Sequence, residues 1–225
     1  MATLYIVGTP IGNLEDITLR AIRILKECDV IACEDTRVTK RLLDRYEIKD
    51  KKLIAFNEEK SGASEAKIIS ILEEGSNVAY VSDAGTPGIS DPGSRLVRAV
   101  RSAGVKVELI PGPSALTSAI SISGLEVSEF VFLGFLPHKK GRETLFREIE
   151  GSKRAVIFYE STHRLMKTLE KLAEILDEKR LIGVGKELTK IHENMFVGGA
   201  KDIVKKFKED EVLLKGEFVV IVEGC

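Results

Sequence analysis

The 225-residue sequence has no tryptophan, no glutamine, three cysteines and four asparagines. The cysteines, Cys28, Cys33 and Cys225, are odd in number and form no CxxC pair. They support neither a disulfide framework nor a zinc site, and they fit incidental or buried thiols in a reducing cytoplasm. Few amides beside abundant Lys, Glu and Arg is a pattern of heat-adapted proteins. Long apolar runs are missing too. The longest uncharged stretch, Leu109–Leu125, contains prolines, glycine and five serine or threonine residues, which makes it a poor membrane span. The first apolar run, LYIV, has four residues and no basic flank, so no signal peptide is expected. These absences point to a soluble, cytoplasmic protein without membrane partners. No cluster with metal-ligand spacing is visible, and no metal is expected. Low-complexity segments, heptads and solenoid repeats are also lacking.

Hydrophobic residues make up 44% of the chain, enough for one large core or two small ones. The net charge of −1 does not mark a polyanion binder, yet the charge is unevenly placed. Residues 36–52 hold seven basic and three acidic residues, and residues 137–154 hold six and three. Arg37, Lys40 and Arg41 in the first segment, and Lys139, Lys140 and Arg142 in the second, could line a phosphate-facing surface or simply coat solvated helices.

Apolar strands alternate with helical segments from the start. TLYIV (3–7), VIACE (30–34), LIAF (53–56), VAYVS (78–82) and VKVELI (105–110) read as strands. Helices are expected between them, one capped by Asp16, one by Ser64, and one over 94–103 ended by Gly104. This alternation predicts a parallel, doubly covered sheet. After PGPSALTSAISISGL the pattern restarts with FVFLGFL, AVIFYE, a helix over about 162–177, LIGVG and GEFVVIVEG. The expected organisation is an N-terminal α/β domain over 1–113, a linking segment over 114–126 and a C-terminal α/β domain over 127–225. Ligands of such sheets bind beyond the carboxyl ends of the strands, and a cleft between two domains is a natural site.

The loop VSDAGTPGISDPG (81–93) has three glycines and two prolines, but no lysine or arginine. It does not match the GxxxxGK[ST] or GxGxxG phosphate patterns. Asp83 and Asp91 would repel a polyphosphate. The loop suits a ligand with positive charge, and S-adenosylmethionine, with its sulfonium and zwitterionic tail, answers that description. Asp83 directly follows a strand and reads as functional, whereas Asp91 reads as a helix cap.

The segments VGTPIGNLEDITLRA, CEDTR, FNE, VSDAGTPGISDPG, IPGPSA, FYESTHR, KELTKIHE and GEFVVIVEG follow one another in this order. Together they resemble the tetrapyrrole methylase superfamily, and within it the ribosomal RNA small subunit methyltransferases of type I. The resemblance spans almost the whole chain. It implies two α/β domains with S-adenosylmethionine folded in the cleft between them, as in class III methyltransferases. It also implies methylation of a cytidine 2′-hydroxyl in 16S rRNA, as free RNA or in the small ribosomal subunit, by a cytoplasmic homodimer. By position it implies cofactor contacts at Pro10, at Asp83, Ala84, Gly85, Thr86 and Ile89, at Ser114, Ala115, Leu116 and Thr117, and at Tyr159, with main chain near Gly185 and Phe218. Members of the family often continue into a small basic C-terminal segment. The sequence here closes at Cys225, so RNA grip is expected from the two domains and a partner subunit.

Methyl transfer to a ribose hydroxyl needs in-line positioning and a group to take the proton or steady the alkoxide. The leading candidates are Glu34 or Glu58 as base, assisted by Lys186 or Arg164. Alternatively, Glu34 or Asp35 caps the next helix, Asn57 and Glu58 belong to a solvated loop, and His163 is structural. Asn57 and Lys190 join the basic residues above as substrate contacts. The small aromatic set argues against an extended base-stacking surface. Two other readings are a precorrin-type tetrapyrrole C-methyltransferase and a non-catalytic metabolite-sensing module.

Overall fold

The computed structural model describes residues 2–57 and 61–225 and divides into two units, Met1–Ser114 and Ala115–Cys225. The first unit alternates β1 (Thr3–Val7), α1 (Leu19–Glu27), β2 (Val30–Cys33), α2 (Thr36–Arg45), β3 (Lys52–Ala55), α3 (Ser61–Glu73), β4 (Val78–Val81), α4 (Gly93–Ser102) and β5 (Lys106–Ile110). The strands form one sheet in the order β3-β2-β4-β1-β5, with every pairing parallel. Burial of both faces explains the nearly unbroken apolar strands. Ile24, Leu25, Leu42 and Leu43 of α1 and α2 pack with Val7, Ile31 and Val81 on one face. Ile68, Leu72, Leu96 and Val100 of α3 and α4 pack with Leu4, Ile6 and Tyr80 on the other.

Local signals were partly misread. Thr18, not Asp16, caps α1, its side chain accepting from Ala21 N–H at 3.0 Å. Asp16 instead ends a short 3-10 turn, Leu14–Asp16, capped by Asn13. Ser64 lies inside α3 and donates to the Ala55 carbonyl at 2.9 Å. Gly104 does follow the end of α4, with φ of +73°, a conformation that glycine adopts freely.

The chain leaves β2 toward the sheet edge at β3, and leaves β4 toward the opposite edge at β5. Loops from the adjacent carboxyl ends of β2 and β4 therefore diverge. This is the topological switch point at which open α/β sheets present a crevice.

The second unit contains α5 (Ala115–Ser123), β6 (Phe130–Phe135), α6 (Arg142–Glu150), β7 (Ala155–Ser161), α7 (Thr162–Ile175), β8 (Leu181–Lys186), β9 (Asn194–Gly199), α8 (Ala200–Glu209) and β10 (Glu217–Val222). The order is β6-β7-β10-β8-β9. Only β6 and β7 pair in parallel, and the other pairings are antiparallel. The strand β9, not anticipated from the sequence, forms a hairpin with β8. Residues 114–126 contain the helix α5, whose Leu116, Ala119 and Ser123 are buried. Leu125 after it packs against Gly183 of β8. Phe146, Leu165, Leu169, Leu172, Ile203 and Phe207 of the other three helices pack with Val156, Phe158, Val184, Phe218 and Val220 on the opposite face.

Candidate functional site

Loops after β1, β4 and β5 are joined by their backbones. Thr9 and Gly85 exchange both N–H···O bonds, at 2.9 and 3.1 Å. Thr86 N–H donates to the Pro113 carbonyl at 3.0 Å, and its hydroxyl lies 3.1 Å from Gly112 O and 3.2 Å from Pro113 O. Gly8 and Gly112 meet so closely that a Cβ on Gly8 would stand 2.6 Å from Gly112 Cα. Gly85 is held at φ +84°. Glycine is thus required here by close approach and by conformation. This joint brings Pro10, Asp83, Ala84, Gly85, Thr86 and Ser114 onto the carboxyl edge of the first sheet.

Asp91 fixes the rest of the loop. Its carboxylate accepts from the backbone N–H groups of Gly88 (2.6 Å), Ile89 (3.0 Å) and Gly93 (2.7 Å). Pro92, the N-cap of α4, offers no side-chain cap, and the bond from Gly93, the first residue of α4, makes Asp91 the side chain that caps this helix, as the sequence suggested. Asp91 is therefore both a helix cap and a loop brace, and Ile89 beside it is exposed.

Acidic groups gather at the switch point. Asp83 N–H donates to Glu34 Oε1 at 3.0 Å, while Asp83 Oδ1 accepts from Asp35 N–H at 3.0 Å. Burial raises the Glu34 carboxyl above its ordinary range, against the Asp83 hydrogen bond, and the charges of Asp83 and Asp91 push the same way. Asp83 is raised chiefly by desolvation as well. Asp35 is different. Hydrogen bonds from the Arg37 side chain, then its N–H, hold it down at about 2. It caps α2 through Arg37 N–H at 2.8 Å, so the capping role belongs to Asp35 and leaves Glu34 beside Asp83. Arg37 is bidentate on Asp35 yet 86% exposed. Lys40 and Arg41 are exposed on the same helix. Asn57 follows β3 and is half-buried. Glu58 lies outside the described residues.

The second unit separates its candidates by face. Along β7, β8 and β10, Glu160, Lys186 and Phe218 continue the every-second-residue series of packed core residues and so share the helix-covered face. Tyr159 points to the other face, edge-on to Phe132 and Phe135 at 5.0 and 5.4 Å between ring centroids. Burial raises its phenol, against a hydrogen bond from the backbone of Leu116. Tyr159, Ala115, Leu116 and Thr117 thus belong to one neighbourhood, from which Lys186 is turned away. Lys186 is buried. Arg164 and Arg142 are both engaged by Glu160, which is fully buried: Arg164 Nη2 lies 2.8 Å from Oε1 and Arg142 Nη2 lies 3.3 Å from Oε2. Both arginines are committed to the protein, a finding against a catalytic Arg164 and a substrate-binding Arg142. Lys190 is bound by Glu187 (2.9 Å) and Glu217 (2.8 Å), while Lys139 and Lys140 are exposed and, among the described residues, carry no ion pair. His163 is exposed in the first turn of α7. Sequence reasoning missed Glu160. Its signal was a lone carboxylate closing the apolar run AVIFYE.

The arrangement in the first unit can hold a cation and accept a proton. Two carboxylates of raised proton affinity stand side by side, and the glycine loop next to them presents no side-chain cation. No group of His, Cys, Asp and Glu among the described residues could hold a metal ion, and no described helix is long and apolar enough to cross a membrane.

Residues 3–204 match the family described as Tetrapyrrole (Corrin/Porphyrin) Methylases. Solved structures with the same fold include the methyltransferase CobJ, with a TM-score of 0.74 and 20% identity over 100% of this chain and 95% of that one. Another is a uroporphyrin-III-C-methyltransferase from Thermus thermophilus, with a TM-score of 0.65 and 20% identity over 99% and 94%. At the sequence level the chain is 45% identical to a ribosomal RNA small subunit methyltransferase I of Thermotoga maritima over 100% of its length and 99% of that relative. It is 46% identical to the protein of that name from Escherichia coli O157:H7, over 98% and 77%. The chain belongs to the tetrapyrrole methylase family, in the branch formed by these ribosomal RNA small subunit methyltransferases.

Proposed function

We propose that the protein transfers a methyl group from S-adenosylmethionine to the 2′-hydroxyl of a cytidine in 16S rRNA. The observation that carries this reading is the pairing of Glu34 with Asp83 at the switch point, beside a glycine loop without a basic side chain. The cofactor would supply an electrophilic methyl on a sulfonium. Asp83, the backbone of Ala84–Thr86, Pro10 and Ser114 would hold it on the first unit. The resemblance assigns Ala115, Leu116, Thr117 and Tyr159 to the cofactor as well. Positive charge is favoured where two carboxylates stand together and disfavours their protonation, so binding would lower the raised Glu34 pKa. Glu34 then accepts the proton of the ribose hydroxyl. Arg37, anchored by Asp35 but open to solvent, meets an adjacent phosphate, and Lys40 and Arg41 extend that contact.

Full-length relatives at about 45% identity carry the rRNA name, while the tetrapyrrole enzymes compared are 20% identical. That contrast favours an RNA substrate over a tetrapyrrole, and catalysis over sensing. The resemblance further suggests a cytoplasmic homodimer, which light scattering would test. The deciding experiment maps 2′-O-methyl groups in small-subunit rRNA incubated with the protein and cofactor. One new methylated cytidine dependent on Glu34 is expected. Methylation of a porphyrinogen in its place would overturn the proposal.

A further inference from the structure

The strand β6 does not keep its alternation to the end. Leu133 packs into the helix-covered core, so Phe135, two residues on, would point there too. It does not. A register shift between Phe132 and Phe135, with Gly134 at φ +63°, turns Phe135 onto the Tyr159 face. Bulges re-aim side chains in this way, commonly beside functional sites. The outcome is an aromatic ring that is 55% exposed and edge-on to Tyr159, which Phe132 also meets edge-on.

The chain that follows is pinned. Arg164 donates to the Leu136 carbonyl at 2.5 Å and Arg142 to the Pro137 carbonyl at 3.2 Å. One buried carboxylate, Glu160, binds both guanidinium groups and accepts from Thr168 Oγ1 at 2.7 Å. Thr168 is also 2.6 Å from Arg142. Beyond the pinned carbonyls come His138, Lys139 and Lys140, all exposed. The clamp thus fixes a half-exposed aromatic and two lysines within six residues of each other.

The geometry points to Phe135–Lys140 as a single-stranded RNA contact, in which Phe135 stacks on one unpaired base and Lys139 and Lys140 meet the flanking phosphates. An exposed aromatic ring followed four and five positions on by exposed lysines, with no ion pair among the described residues, is the combination that single strands need, and stacking tolerates any base. One ring suffices for one base, in keeping with the shortage of aromatics. This inference rests on the rRNA reading and supplies the substrate contact that Arg142 and Arg164, both bound inward, do not make.

The test measures binding of a fluorescent oligocytidylate by anisotropy, and methylation of small ribosomal subunits, for wild type, Phe135→Ala, Phe135→Trp and the double variant Lys139→Ala/Lys140→Ala. Phe135→Ala should weaken oligonucleotide binding and raise KM for subunits by about tenfold or more, with Phe135→Trp close to wild type and the affinity for S-adenosylmethionine unchanged. The double variant should make the slope of log K against log salt shallower by about 1.4. Wild-type binding that ignores both sets of substitutions, or no wild-type binding at all, overturns the contact. So does a Phe135→Ala variant that loses cofactor affinity, because the ring would then serve the cofactor's adenine. A wild type that binds the oligonucleotide but leaves subunits unmethylated sinks the functional reading and leaves the contact standing.

Discussion

The backbone of Asp83 donates to the side chain of Glu34 across 3.0 Å, and this bond links the segments that follow β2 and β4. The two residues are 49 positions apart in sequence, yet the charge of Asp83 adds to the burial that raises the proton affinity of Glu34.

Both carboxyls have folded-state pKa values above their ordinary ones, 4.5 for Glu34 and 3.8 for Asp83. The folded protein therefore binds these protons more readily than the unfolded chain. Their contribution to stability is greatest at low pH and falls as pH rises through the ordinary values to the raised ones. Glu34→Gln keeps an acceptor for Asp83 N–H but cannot ionise. Its melting temperature relative to wild type should rise between about pH 4 and pH 7, as followed by calorimetry. A constant difference across that range would contradict the shift.

The same substitution should depress turnover. Loss of a general base typically costs about a hundredfold or more. Single-turnover methylation by Glu34→Gln should slow by that order, with cofactor affinity within a few-fold of wild type.

Asp91 braces three backbone N–H groups, so Asp91→Ala leaves all three to find water. We expect a loss of about 2 kcal/mol in order of the loop, read as weaker S-adenosylmethionine binding by calorimetric titration. Turnover at saturating cofactor should change little.

Removing one partner of a buried ion network leaves the others uncompensated. Glu160→Gln should lower unfolding stability by about 3 kcal/mol, measured by urea denaturation. A loss below about 1 kcal/mol would mean that the arginines find other partners.

Ligand selectivity gives an independent check. At a hundredfold excess over Kd, S-adenosylmethionine should add about 2.7 kcal/mol of stability and raise the melting temperature by several degrees. NAD and ATP should leave it unchanged, because their phosphates meet Glu34 and Asp83.

The first sheet could be read closely from the sequence because its strands are apolar on both faces and punctuated by Gly and Pro: TLYIV is β1 residue for residue. In the second unit the same alternation misled. Strand direction depends on where the chain re-enters the sheet, and β10 enters between β7 and β8, antiparallel to both. NMFVGG offered no period-2 signal for β9, its last two residues being glycine. ALTSAISIS concealed a helix because serines stand where an amphipathic stripe is usually charged. The glycine loop and CEDTR pointed to the crevice, but Asp83 and Asp91 have similar settings in sequence, and only their hydrogen bonds distinguish a site carboxylate from a brace. Arg142 and Arg164 look like ligands for phosphate until Glu160, 18 and 4 residues away, is seen between them.

The contact of Gly8 with Gly112 has a consequence for engineering. Neither position has room for a methyl group, so the turns after β1 and β5 can be exchanged with those of a relative only as a matched set, together with the strand-end segment that carries Thr86. A chimaera that moves one turn alone would carry a mismatch into its backbone before any new chemistry could be assayed.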